Sequence, residues 1–220
     1  MDRARVHTAD AVVVGGGFAG AATAYQLTRR GFKHVVLLEQ EDLAGLHASG
    51  RNAGVARRFI SSPDHLPLAR EGVAFLESPP DDFPAASYFR RTGSIMLAGP
   101  EQEEHLRASI DAGRASGVEG EWLTRDEVES LVPAAAGGTF VGGAYGPDDG
   151  VADIAALLDA YLRAGRAAGL EVLMGQRLTA VETDGRGVSG VRTGDRAFST
   201  RVLVNAAGAW APEVARPARR

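Results

Sequence analysis

No cysteine occurs among the 220 residues, so the chain has no disulfide, no thiolate metal site and no cysteine nucleophile. Aromatic residues are sparse at 6%, and neither sign of charge dominates: 24 basic and 28 acidic residues leave a formal −4. Without a dense Lys/Arg stripe, nucleic acid is not an expected partner. No apolar run approaches the roughly 18 residues that span a bilayer, so no membrane association is expected, and a soluble, cytoplasmic chain is. The basic start from Met1 to Arg5, followed by the small apolar run from Ala11 to Ala24, has the outline of a signal peptide, but Asp10 and the glycines fit a loop better. His7, His34, His47, His65 and His105 show no metal-ligand spacing, so no metal is expected. Neither a G-x-S-x-G elbow nor a P-loop lysine is present.

What the chain does have is a thirty-residue unit from Ala11 to Gln40. Val12 to Val14 are β-branched and apolar, as a strand covered on both faces requires, and the run stops at Gly15. Gly15-x-Gly17-x-x-Gly20 follows. In a chain with 28 glycines that spacing alone is weak, and the strand before it and the helix after it give it weight. Gly15 permits a tight turn, Gly17 leaves the backbone bare for a diphosphate, and Gly20 lets the helix lie close to the sheet. Residues Phe18 to Arg30 favour helix, with Ala21, Ala24, Tyr25 and Thr28 on the packed side and Gly31 as the C′ residue. The N–H groups that open such a helix lack intrahelical partners and suit an anion. Val35 to Leu38 reads as a second buried strand, ending in Glu39, which can accept both hydroxyls of a ribose. An acid there disfavours a 2′-phosphate, which leaves FAD or NAD rather than NADP. The plainer alternative is a βαβ unit without a ligand, in which Glu39 caps a strand end.

Glu41 to Arg58 is interrupted by Gly45, Ser49, Gly50, Asn52 and Gly54 and is expected to be a long loop at the carboxyl end of a strand, where α/β sheets bind ligands. Ser49-Gly50-Arg51-Asn52-Ala53-Gly54 offers a hydroxyl, a guanidinium, an amide and bare backbone to a diphosphate or a polar ring edge; a solvated glycine loop fits the composition equally. Arg57 and Arg58 could attract a carboxylate or form a solvated face. Ser62-Pro63 reads as N-cap and first residue of a helix presenting Leu66, Ala69, Val73 and Leu76. Two strands joined by a turn at Thr92-Gly93-Ser94, a polar helix over 101–116, a capping box from Thr124 to Glu127 and a strand over 140–145 suggest a separate lobe. Gly146 to Gly150 marks the return to the first domain, where Asp153 can cap a helix carrying Ile154, Leu157, Leu158, Tyr161 and Leu162. Short strands follow at 171–174, 178–181, 188–193 and 197–198. Arg201 to Trp210 is a second signature, a buried strand emptying into Ala206, Ala207 and Gly208, small residues that admit a close ligand.

Val12 to Gly20, Glu39, Ser49 to Gly54 and Arg201 to Trp210 together resemble the glycine/D-amino-acid oxidase (sarcosine oxidase-like) family of FAD-dependent oxidoreductases. The resemblance implies FAD, with its diphosphate over Gly15, Gly16, Gly17, Phe18, Ala19 and Gly20 and its ribose at Glu39, Gln40 alongside. It also implies that Ser49, Gly50, Arg51, Asn52, Ala53 and Gly54 run toward the flavin, with Arg51 and Asn52 as candidates for tuning it. Leu178 would meet the adenine through its main chain, and Ala206, Ala207, Gly208 and Trp210 would form the second contact. With no cysteine, the flavin is not held through a thioether.

The fold class implied is α/β, a doubly wound parallel-sheet, Rossmann-like FAD-binding domain over 1–79 and 148–220, interrupted by a partial α+β substrate lobe over 80–147. The activity implied is oxidation of the C–N bond of a small-molecule amine or amino acid by hydride transfer to flavin; no catalytic residue is assigned. Chains of the family continue past the second signature, whereas this one stops at Arg220 after Pro217-Ala218-Arg219, so a C-terminally truncated member is expected. Three readings therefore stay open: an amine or amino-acid oxidase or dehydrogenase, a non-catalytic FAD-binding fragment or half of a split enzyme completed by another polypeptide, and an NAD-dependent dehydrogenase.

Overall fold

The computed structural model describes residues 6–59 and 63–216; Met1 to Arg5, Ser62 and Pro217 to Arg220, used above, lie outside the described residues. In chain order the elements are β1 (Val6–Thr8), β2 (Ala11–Val14), α1 (Phe18–Arg29), β3 (Val35–Leu38), β4 (Val55–Ala56), α2 (Leu66–Glu77), β5 (Phe89–Arg91), β6 (Ser94–Ala98), α3 (Glu103–Ala115), β7 (Glu121–Thr124), α4 (Arg125–Leu131), β8 (Gly142–Gly146) and β9 (Gly150–Ala152). Then come α5 (Ile154–Ala167), β10 (Glu171–Leu173), β11 (Ala180–Asp184), β12 (Gly187–Arg192), β13 (Ala197–Ser199), β14 (Leu203–Asn205) and α6 (Ala211–Val214). They form two compact units: Met1–Asn52, Asp82–Pro84 and Ile154–Arg220 in the first, Ala53–Asp81 and Ala85–Asp153 in the second.

The first unit is built on a parallel sheet in the order β10-β3-β2-β14. Side chains alternate across a strand, so the unbroken apolar runs of β2 and β3 need cover on both faces. Val13, Val35 and Leu37 pack with Ala21 and Ala24 of α1 and with Leu158 and Leu162 of α5. Val12, Val14, Val36 and Leu38 point the other way, against Val191 of β12 and Phe198 of β13. At about 1.5–3 kcal/mol for each fully buried Val or Leu, these two layers hold the unit together. The parallel α/β core expected from the sequence is present, and its second face is roofed by a sheet in the order β1-β13-β12-β11. The segments between β10 and β14 are short, rich in strand formers and separated by glycine turns, so a sheet is the cover they can supply.

α1 ends in a Schellman motif: Gly31, at φ +92°, donates to the Thr28 carbonyl and Phe32 to that of Leu27. Asp10 then ties the chain into β3 by accepting from the N–H groups of Lys33 and His34, and these bonds hold its carboxyl below the usual range. On the outer side of α1, Tyr25 meets Phe83 and Tyr161 edge to face, and burial pushes the Tyr161 phenol up to about 12.

The second unit carries two antiparallel sheets, β4-β9-β5 and β6-β8-β7. β5 and β6 flank the expected turn but do not pair with each other; β5 pairs with β9 and β6 with β8. The reason is Asp149, whose carbonyl accepts from Thr92 and Gly93, while its buried carboxylate accepts from Arg58 N (2.7 Å), Phe59 N (3.1 Å) and Ser94 Oγ (2.6 Å). These bonds and the β4–β9 pairing draw residues 53–81 into this unit, so the compact units divide after Asn52 and Asp153 rather than near 79 and 147. Gly146 to Gly150 is the turn between β8 and β9. α2 starts at Leu66, after a short 3-10 turn at Pro63–His65, and the Thr124–Glu127 capping box opens α4 as expected.

Candidate functional site

At the carboxyl end of the parallel sheet lies a cavity of about 1310 Å³, larger than the roughly 300–1,000 Å³ of ordinary small-ligand sites. Its floor is the glycine turn. Gly15 sits at φ +111°, where side chains are disfavoured, and a Cβ there would strike the Ala206 carbonyl as β14 ends beside β2. A Cβ on Gly20 would collide with the Gly15 carbonyl, so the close approach of α1 to the sheet needs glycine at that position.

Glu39 is only 8% exposed and lines the cavity. Its Oε2 accepts from Gly16 N at 2.6 Å and its Oε1 from Glu41 N at 2.9 Å. A carboxylate has about four lone-pair sites, so acceptor capacity is left for a ligand. The glycine at 16 matters too, because a Cβ there would lie 2.9 Å from Glu39 Oε2. Ser49 Oγ accepts from Phe18 N at 3.0 Å and would stand 2.7 Å from a Cβ on Gly17. Among the described residues no protein acceptor meets the N–H of Gly17, Ala19 or Gly20, so the helix start keeps free donors, and Gly17 and Ala19 line the cavity.

Of the residues expected at a ligand, Gly15, Gly17, Ala19, Glu39, Gln40, Ser49, Arg51, Leu178, Ala206, Ala207, Gly208 and Trp210 line the cavity. Gly16 and Phe18 reach it through their N–H bonds to Glu39 and Ser49, and Gly20 shapes it from behind. Gly50, Asn52, Ala53 and Gly54 are not in its lining. Gly50 lies tight against the Gly45 carbonyl, Asn52 folds back onto the Ser49 carbonyl at 2.8 Å, and Gly54 accepts from Ala152 N. Sequence reasoning missed His47, Gln176, Arg177 and Thr179. The signal was available for the last three: they follow β10, a strand parallel to β3, so they emerge at the same sheet edge as Glu39. Arg58 pairs with Glu77, and no metal-binding group of three or more His, Asp or Glu occurs among the described residues.

A parallel sheet, a glycine turn into a helix and a cavity along the strand ends define a Rossmann-like α/β domain. The chain belongs to the DAO family, described as FAD dependent oxidoreductase, whose model matches residues 10–220. That family is FAD-dependent. The hydrogen cyanide synthase subunit HcnC of Pseudomonas aeruginosa is 31% identical, the match spanning 94% of this chain and 59% of that protein. Mitochondrial sarcosine dehydrogenase of Homo sapiens is 29% identical over 96% of this chain and 24% of its own length. The crystal structure of glycine oxidase from Geobacillus kaustophilus superposes with a TM-score of 0.80 at 27% identity, covering 95% of this chain and 58% of that one. The chain thus spans about a quarter to three-fifths of the length of these relatives. Among the described residues no helix is long and apolar enough to cross a membrane.

Proposed function

We propose that this chain holds FAD in the cavity at the end of the parallel sheet, with the diphosphate against the α1 amides and the ribose on Glu39, as part of an enzyme that oxidises the C–N bond of an amine or amino acid. The observation that carries the reading is the convergence of unpaired first-turn N–H groups and the spare acceptor capacity of Glu39 on one cavity. A dianion lying along Gly15 to Gly17 receives charge-assisted bonds of about 1.5–3 kcal/mol each and the favourable end of the helix dipole. Arg51, which lines the same cavity with no ion-pair partner among the described residues, adds a positive charge. Leu178 would meet the adenine through its main chain, and Ala206, Ala207 and Gly208 line the cavity with small residues.

Bound flavin would supply a two-electron acceptor for the substrate carbon that carries a neutral amine, releasing an imine that water hydrolyses. The chain's contribution is to orient the cofactor and neutralise its diphosphate. The substrate lobe is assigned to the second unit on the same family grounds. A second reading, an FAD-binding part completed by another polypeptide, is favoured by the partial span of its relatives, three of which are themselves named as subunits.

Purified chain reconstituted with FAD is expected to be yellow at one flavin per chain and to bleach anaerobically with one of a panel of amino acids. A yellow protein that no amine or amino acid reduces supports the second reading. A chain that stays colourless after FAD addition defeats both.

A further inference from the structure

His47 and Trp210 come from different segments and meet ring to ring, with centroids 4.5 Å apart. His47 lies in the loop after β3 and Trp210 in the 3-10 turn after β14, and β3 and β14 are the two strands that flank β2 in the sheet. Their contact therefore crosses the end of β2, where the glycine turn begins. Both approaches touch that turn. Two residues after His47, Ser49 Oγ binds Phe18 N beside Gly17, and three residues before Trp210 the Ala207 backbone lies against Gly15. Both rings line the cavity. His47 is also held from its far side, its Nε2 standing 3.0 Å from Glu41 Oε1, and Glu41 in turn donates its N–H to Glu39.

We propose that His47 and Trp210 form a clasp closing over the diphosphate of a dinucleotide bound on the glycine turn, with Glu41 as the positioning residue that keeps the imidazole against the indole. This rests on the FAD reading above and adds to it a determinant of ligand release. A clasp must open before the ligand leaves but is not needed to recognise it, so its loss speeds dissociation and leaves association nearly unchanged. Because neither ring closes the span alone, losing either one is equivalent to losing both.

The test is stopped-flow binding of FAD to the apo chain and to His47→Ala, Trp210→Ala, the double variant and His47→Phe. The expected result is a dissociation rate raised about 3- to 10-fold in each alanine variant, the range an aromatic pair supplies. The double variant should be no faster than either single one, and His47→Phe, which restores a ring, should be close to the parent. Rates within twofold of the parent, or single effects that multiply in the double variant, would overturn the clasp while leaving FAD binding intact. Failure of the parent chain to bind FAD would instead remove the reading on which the clasp rests.

Discussion

Among the described residues each unit buries one carboxylate, and the two do opposite things. Asp149, 1% exposed, spends its oxygens on Arg58 N, Phe59 N and Ser94 Oγ, and its carbonyl on Thr92 and Gly93. Glu39 takes only two backbone N–H groups and turns its remaining capacity to a cavity. A buried charge must be compensated by hydrogen bonds. Where the protein supplies them all, the residue is architecture; where it stops short beside a cavity, acceptor capacity is left over, and the proposed ribose contact draws on it.

The largest expected effect separates ligand from fold. Gly17 has φ −79°, accessible to any residue, yet a side chain there would push on Ser49 and fill the space over the helix start. Gly17→Val is expected to lose stoichiometric FAD while the apo chain keeps its circular dichroism; a variant that purifies with one flavin per chain would refute the placement. Next comes Asp149→Ala, which strands the buried N–H of Phe59 and the half-buried N–H of Arg58 at about 1–3 kcal/mol each, or roughly 10 °C in melting temperature for a chain of this size. If thermal scans show a shift of only a degree or two, Asp149 is not the hub described here.

Glu39→Gln should weaken FAD roughly 10- to 100-fold, the loss of one charge-assisted bond, with a smaller change in apo melting than Asp149→Ala, because the amide oxygen can still accept from Gly16. Equilibrium titration measures it, and an unchanged affinity would mean that Glu39 serves only Gly16 and Glu41. The smallest effect belongs to Glu77, whose carboxyl is held below its usual range first by Arg91 and then by Arg58. A depressed value means that its contribution is present above about pH 4.3 and is lost as the pH falls through the lower folded value. Glu77→Gln should therefore flatten the acid limb of a melting-temperature profile, the more weakly at high salt because the network is partly exposed. An acid limb identical to the parent's would show that the pair contributes nothing.

The βαβ unit was legible because its signals are local. Val12 to Val14, the glycine turn, Gly31 at the end of α1 and Val35 to Glu39 each specify a backbone conformation within a few residues. The capping box at Thr124 and Glu127 was legible for the same reason, the two partners being three residues apart. β5 and β6 were found as strands but not assigned their partners, since those lie more than forty residues away and are selected by Asp149. Within 49–54, composition could not say that Ser49 and Arg51 would line the cavity while Asn52 folds back and Gly54 joins the other unit.

By itself, the order of residues determined the strand–turn–helix–strand unit, the need for cover on both faces of its sheet, and an acid at the end of its second strand. Unbroken apolar runs and glycine stereochemistry act over short distances, so they do not depend on the rest of the chain. Only the tertiary structure decided what covers the second face, which loop residues meet over the glycine turn, and which buried carboxylate keeps free capacity. Those outcomes depend on groups far apart in sequence competing for the same hydrogen bonds and the same apolar surface, a competition that only the folded chain resolves.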